Sequence, residues 1–186
     1  ETQPGNIEVL FSLERVMGKT GMASEAIMYL DEILELDPDN LTALYRKRYF
    51  LEKKEKWDDL ISIQKTIIKS EHNEKDRKRE QTTLVGYKYE QGRYNLENGE
   101  LDKAEIVFKT ILRLDKDFIP AYLGLAETIL RKGNAEEAVS FLEQSFEQTS
   151  SLIMLARLED VLITLGDPVR LIRLYKSSIS RDPQNQ

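Results

Sequence analysis

Five turn positions recur along the chain. Gly21, Glu55, Gly99, Gly133 and Gly166 each sit between two apolar-periodic stretches, at spacings of 34, 44, 34 and 33 residues. A period of this size means a supersecondary unit that cannot bury its apolar face alone and must stack on copies of itself. Five residues beyond the turns stand Ala26, Leu60, Ala104, Ala138 and Leu171. Four further on come Leu30, Gln64, Phe108, Leu142 and Tyr175, and three beyond those Ile33, Ile67, Ile111, Ser145 and Ser178. A small residue followed at +4 and +7 by larger ones marks one helix face, the small residue admitting a close neighbour. The first and last units close with Asp37-Pro38 and Asp182-Pro183, where proline cannot continue the preceding helix and suits the start of the next. Each unit reads as helix, tight turn, helix, stop.

Composition agrees with long helices and short breaks, since helix formers dominate and only 5 Pro and 9 Gly interrupt them. Ten helices are expected, near residues 6–18, 22–36, 40–53, 57–69, 77–97, 102–114, 119–131, 135–147, 151–165 and 168–181. The 44-residue spacing leaves ten residues over, 75–84, and the stretch KDRKREQTTL holds neither Gly nor Pro. It therefore predicts a lengthened first helix in the third unit rather than a loop.

The pattern resembles the tetratricopeptide repeat family, whose unit is a 34-residue helix pair with a small residue opening the second helix and a proline near its end. The fourth unit carries the likeness best, through Tyr122, Leu125, Ala126 and Ile129, then Gly133, then Ala138 and Leu142. The second departs furthest: Lys47 and Arg48 stand where the family usually has Leu and Gly, and Glu55 replaces the turn glycine. The resemblance implies an all-α, right-handed superhelical solenoid of about five units, forming a single array over 1–186. Its units are 7–40, 41–74, 85–118 preceded by the lengthened segment 75–84, 119–151 and 152–186. Such an array needs polar caps at its ends. Leu171, Leu174 and Ile179 on the last helix would face solvent, so the chain reads as an excerpt of a longer protein, or as one that self-associates through that helix.

Little in the sequence points to catalysis. With 0 Cys there is no disulfide framework, thiolate metal site or cysteine nucleophile. A net charge of −6 argues against a broad nucleic-acid or anionic-membrane surface. No apolar run approaches the roughly 20 residues of a membrane span. His72, the one histidine, reads as a solvated turn residue despite Glu71, Glu74 and Asp76 nearby. The acidic pairs Asp58-Asp59 and Glu136-Glu137 open second helices, where carboxylates favour the helix dipole. The stretch GKTGMAS from Gly18 lacks the order and spacer of a phosphate-binding loop. The basic run from Lys75 to Arg79 is diluted by Glu74, Asp76 and Glu80 and carries no interleaved aromatics, which reads as a solvated helix start. No catalytic, cofactor or metal site is expected.

In the resembled family, first helices line a concave groove, with positions 2, 5, 9 and 12 of each unit facing the ligand. Carried onto this chain, the fifth positions are Phe11, Tyr45, Tyr89, Leu123 and Ala156, and the ninth are Arg15, Tyr49, Arg93, Glu127 and Asp160. The candidate protein-binding residues are Phe11, Arg15, Tyr45, Tyr49, Tyr89 and Arg93, since aromatics and arginine supply contact area, charge and hydrogen bonds. They suit an extended peptide or partner helix bearing acidic and apolar groups. Trp57 is assigned to core packing.

The succession EKWDDLISIQKTIIK, a stretched first helix, then GELDKAEIVFKTILRLDKDFIPAYLGLAETILRKGNAEEAVSFLEQSF is similar to the repeat region of the lipopolysaccharide assembly protein B family. That resemblance implies a cytoplasmic bacterial adaptor, tethered to the inner membrane by a segment outside this stretch, which presents a lipopolysaccharide-synthesis enzyme to a protease. A competing reading makes the repeats an appendage of an enzyme, such as a glycosyltransferase, whose catalytic domain lies elsewhere.

Overall fold

A computed structural model of the chain describes residues 4–181, and the side chains of residues 6–176. Ten helices and no strand occur among the described residues. In order they are α1 (Pro4–Lys19), α2 (Ala23–Leu36), α3 (Leu41–Lys53), α4 (Trp57–Ser70), α5 (Glu74–Glu97), α6 (Leu101–Leu114), α7 (Ile119–Arg131), α8 (Ala135–Thr149), α9 (Leu152–Leu165) and α10 (Pro168–Arg181). The lengthened helix expected over 75–84 is the first part of α5, which runs 24 residues without a break. The chain divides into two compact units, Glu1–Gln91 and Gly92–Gln186.

The five turn positions share one backbone conformation. Gly21, Gly99, Gly133 and Gly166 have φ of 80°, 75°, 84° and 71°, and Glu55 has φ of 51°. That left-handed conformation costs an L residue about 1–2 kcal/mol, which is why glycine fills the other four turns. The second unit therefore departs from the repeat in residue type but not in geometry. Local chemistry starts the helices. The Asn40 side chain accepts from Ala43 N at 3.1 Å ahead of α3, and Pro120 sits in the first turn of α7. Asp58 and Asp59 open α4, and Glu136 and Glu137 open α8, where the dipole favours them.

Burial follows the sequence period. Ala26, Leu30 and Ile33, then Leu60, Gln64 and Ile67, then Ala104, Phe108 and Ile111 are all 0% exposed. Each fully buried Leu, Ile or Phe contributes about 1.5–3 kcal/mol to its unit. In unit 1 the core forms around Leu30, Ile33 and Phe50 and around Leu44, Leu60 and Ile67, the latter with Trp57 packed against it as expected. Trp57 Nε1 is buried without a hydrogen-bond partner among the described residues. In unit 2 it forms around Tyr122, Leu142, Met154 and Leu158. Leu171 and Leu174 pack against that cluster, so the expectation that they face solvent is corrected: among the described side chains, the large apolar residues of α10 left exposed are Val169 and Ile172. The side chains of Ser178 and Ile179 and the pair Asp182-Pro183 lie outside the described residues.

One packing slot recurs at the turn spacings of 34, 44 and 34, formed by a first helix, its second helix and the next first helix, and each time it is filled differently. Glu14, Leu30 and Arg46 fill it first, with Arg46 Nη1 2.5 Å from Glu14 Oε2. Next come Arg48, Gln64 and Glu80: Arg48 Nη1 donates to Glu80 Oε2 at 2.5 Å and to Gln64 Oε1 at 3.1 Å, and Gln64 Nε2 donates to Glu80 O and Oε2 at 2.8 Å each. Then Phe108 fills the space over Gly92 and Gly124, and finally Ala126, Leu142 and Leu158 form an apolar contact. Arg48 and Gln64 are thus a polar filling of a site that elsewhere holds glycine and phenylalanine.

Candidate functional site

The slot ion pairs in unit 1 have a consequence on the first-helix face. The guanidinium of Arg46, held by the buried Glu14, lies 4.9 Å from the centre of the Phe11 ring. The guanidinium of Arg48, held by the buried Glu80, lies at the same 4.9 Å from the centre of the Tyr45 ring. Phe11 and Tyr45 are equivalent positions in successive units, so the arrangement repeats even though acid and base have exchanged helices. A third cation, Lys53 Nζ, stands 4.4 Å from the centre of the Tyr49 ring. Contacts of this kind are worth about 0.5–1 kcal/mol at exposed sites and more where water is excluded.

Between α1 and α3 these residues border an open groove of about 440 Å³, lined by Glu14, Arg15, Gly18, Lys19, Tyr45, Arg46, Tyr49, Phe50 and Lys53. Phe50 reaches its floor because α1 has Gly18 there: a Cβ on Gly18 would lie 3.0 Å from Phe50 Cζ. Tyr49 meets Phe50 edge-on, with ring centroids 5.5 Å apart, and is itself 50% exposed. Of the lining cations, Arg46 is neutralised by Glu14, the single acid in the lining. Arg15, Lys19 and Lys53 give the groove its positive potential.

Tyr45 is held on both sides of its ring edge. Its hydroxyl lies 3.3 Å from Glu80 Oε1 and 3.4 Å from Glu71 Oε2, with one proton to donate to either. Burial and the neighbouring Glu80 and Glu71 carboxylates raise its pKa above the ordinary tyrosine value. Burial alone would raise the pKa of Glu80, but hydrogen bonds from Gln64 and Arg48 outweigh it and hold the carboxyl below its usual range. Glu80 is therefore an ionised, 2% exposed carboxylate.

Of the six residues expected to bind a partner, Arg15, Tyr45 and Tyr49 line this groove, and Phe11 borders it beneath Arg46. Tyr89 is half-buried on α5 in unit 1 and does not line it. Arg93 belongs to unit 2, where its Nη2 is 3.1 Å from Glu97 Oε1. Sequence reasoning missed Lys19, Arg46, Phe50 and Lys53, which fall outside the fifth and ninth positions. The signal for Arg46 was the Arg46-Lys47-Arg48 run, whose oddity within the repeat marks the helix that supplies the cations.

A larger concavity of about 600 Å³ opens on the second-helix side of unit 1, floored by Leu44 and Leu51. It is a weaker candidate because both of its acids are already paired, Asp31 with Lys47 at 2.5 Å and Asp59 with Lys56 at 4.0 Å, while Lys54 donates to the Ser24 hydroxyl at 2.6 Å. His72 is exposed in the connection before α5, and no cluster of metal-ligating side chains occurs among the described residues. No described helix is long and apolar enough to cross a membrane.

Helix hairpins joined by left-handed turns and stacked through a repeated three-helix slot define a helical-repeat protein of the tetratricopeptide type. Residues 95–151 match the family model of the tetratricopeptide repeat. The fold is similar to a crystal structure of MamA, at 15% identity over 98% of this chain and 94% of that one, with a TM-score of 0.51. A second MamA crystal structure is similar at 16% identity over 92% and 95% of the two chains, with a TM-score of 0.50. YrrB, described as a tetratricopeptide protein with an unusual peptide-binding site, aligns at 14% identity over 92% of this chain and 84% of its own, with a TM-score of 0.47. No curated protein sequence matches the chain.

Proposed function

We propose that this chain is a non-catalytic protein-interaction scaffold that seats a partner polypeptide on its first-helix face, with the α1–α3 groove as the principal contact. The carrying observation is the combination of the exposed Tyr49 ring and the half-buried Tyr45 ring with Arg15, Lys19 and Lys53, cations for which the lining leaves no acid once Glu14 is paired with Arg46. A segment with carboxylates and large apolar side chains fits that chemistry, because ring burial supplies affinity while the charges set register and association rate. Tyr89 and Arg93 are assigned the same role at the equivalent positions of α5, each within its own unit. Selection of a random peptide-display library on the immobilised protein tests this reading. Enrichment of acidic sequences containing Leu, Phe or Trp supports it, and enrichment of basic sequences contradicts it.

The adaptor role in lipopolysaccharide synthesis rests on Trp57 opening α4 and on the 24-residue α5 that follows. The reading frame of the parent gene tests that role: downstream cysteine pairs support it, and a several-hundred-residue α/β domain favours the enzyme-appendage reading. Self-association through α10 rests on Val169 and Ile172, 56% and 53% exposed on one side of that helix. A monomeric mass in light scattering at high concentration removes it.

A further inference from the structure

The groove rings Phe11 and Tyr45 are each backed by an arginine, and each arginine is pinned by an almost fully buried carboxylate, Glu14 at 5% and Glu80 at 2% exposure. We propose that Glu14 and Glu80 are positioning residues, fixing the side-chain rotamers of Phe11 and Tyr45 so that the groove is organised before a partner arrives. This rests on the groove assignment above.

Three observations carry the inference. The motif occurs twice with its charges reversed, Glu14 on α1 holding Arg46 on α3, and Arg48 on α3 held by Glu80 on α5. An ion pair kept at the same slot in both orientations is not needed for packing, because Phe108 with two glycines, or Ala126 with two leucines, fills that slot without charge. The two charged slots are also the two whose cations stand over rings of the first-helix face. Glu80 acts on its ring twice over, through Arg48 and directly, since Tyr45 Oη lies 3.3 Å from Glu80 Oε1. With its hydroxyl satisfied inside the protein, Tyr45 presents ring carbon to the groove, so the groove selects an apolar group at that point rather than a hydrogen-bond partner. A ring held in one rotamer spares the partner the ordering that a mobile ring would demand.

Three-bond couplings reporting χ1, measured on the ligand-free chain labelled at tyrosine and phenylalanine, test the proposal without a partner. Tyr45 is expected in a single rotamer in the wild type and averaged in Glu80→Gln, while Tyr122, in unit 2, is unchanged. A folded Glu80→Gln protein with an unaltered Tyr45 rotamer overturns the proposal. If that variant does not fold, Tyr45→Phe, which removes only the hydroxyl, and Glu14→Gln, read at Phe11, are expected to show the same averaging, and single rotamers in both overturn it. Titration of a fluorescein-labelled decapeptide of alternating Glu and Leu is the second readout. Glu80→Gln is expected to weaken it roughly two- to tenfold, the effect of having to immobilise one side chain. That loss should vanish when Tyr45 is already alanine, and a loss that persists there assigns Glu80 a general structural role and overturns the proposal. No binding to the wild type counts against the groove assignment alone, with the couplings still deciding the positioning.

Discussion

The ring of Phe108 stands against the α-carbon of Gly124, so closely that a Cβ there would lie 2.5 Å from its Cζ, and on the other side a Cβ on Gly92 would lie 2.7 Å from Cε1. Phe108 is fully buried, so the ring cannot swing into solvent. Gly124→Ala gains up to about 1 kcal/mol of helix propensity but overpacks the slot at about 1–3 kcal/mol. A net loss of stability is expected in thermal unfolding followed by circular dichroism. The loss should shrink in a Phe108→Leu background, because the two residues share one volume. Equal losses in both backgrounds would remove the ring as the cause.

Glu55 is the reverse case, an exposed non-glycine in a left-handed turn. Glu55→Gly relieves a strain of about 1–2 kcal/mol and returns part of it through the more flexible unfolded chain. We expect a stabilisation of about 0.5–1 kcal/mol in urea unfolding. Trp57, the single tryptophan, reports that transition in unit 1 by its fluorescence.

The slot holding Arg48, Gln64 and Glu80 should respond to single and double substitutions differently. Arg48→Met leaves Glu80 buried without its cation, at about 3–5 kcal/mol, whereas Arg48→Met with Glu80→Met should recover most of that loss. Trp57 fluorescence in urea gives both numbers. A double variant as unstable as the single would mean that the pair itself contributes the stability.

Acid should attack the same slot. Glu80 has a native pKa below its unfolded value, so the folded chain binds fewer protons through it, and its contribution is present above the ordinary carboxylate range. It is lost as pH falls below that range toward the native pKa. Glu105 in unit 2 follows the same sign, lowered chiefly by hydrogen bonds from Lys109 and Lys132. In Glu80→Gln the fall in urea midpoint between neutral and acid pH, read at Trp57, should be shallower than in the wild type. An unchanged slope would show that Glu80 does not titrate as its surroundings imply.

The repeat was legible because burial obeys helical spacing: the mostly apolar residues at +5, +9 and +12 from each turn could be placed on one face without knowing the fold. The length of α5 was legible for a similar reason, in the absence of any breaker over 75–84. What the sequence hid was the slot, whose three members come from three helices of two adjacent repeats, with the outer two 32 residues apart. Read singly, Arg48 and Gln64 look like decay of the repeat, and the mutual compensation shows only once Glu80 is placed between them. The groove was half legible. Arg15, Tyr45 and Tyr49 follow from the position rule, while Lys19 and Lys53 sit at helix ends and reach the groove through their length, which no periodicity encodes.

The central claim is that the α1–α3 groove captures acidic, apolar polypeptide. The most direct measurement is the affinity, by fluorescence anisotropy, of a display-selected peptide for the wild type and for Arg15→Ala/Tyr45→Ala/Tyr49→Ala. Truncating three such anchors should weaken binding at least about 100-fold, with the wild-type affinity falling as salt rises. Equal affinity of a folded triple variant and the wild type would contradict the account.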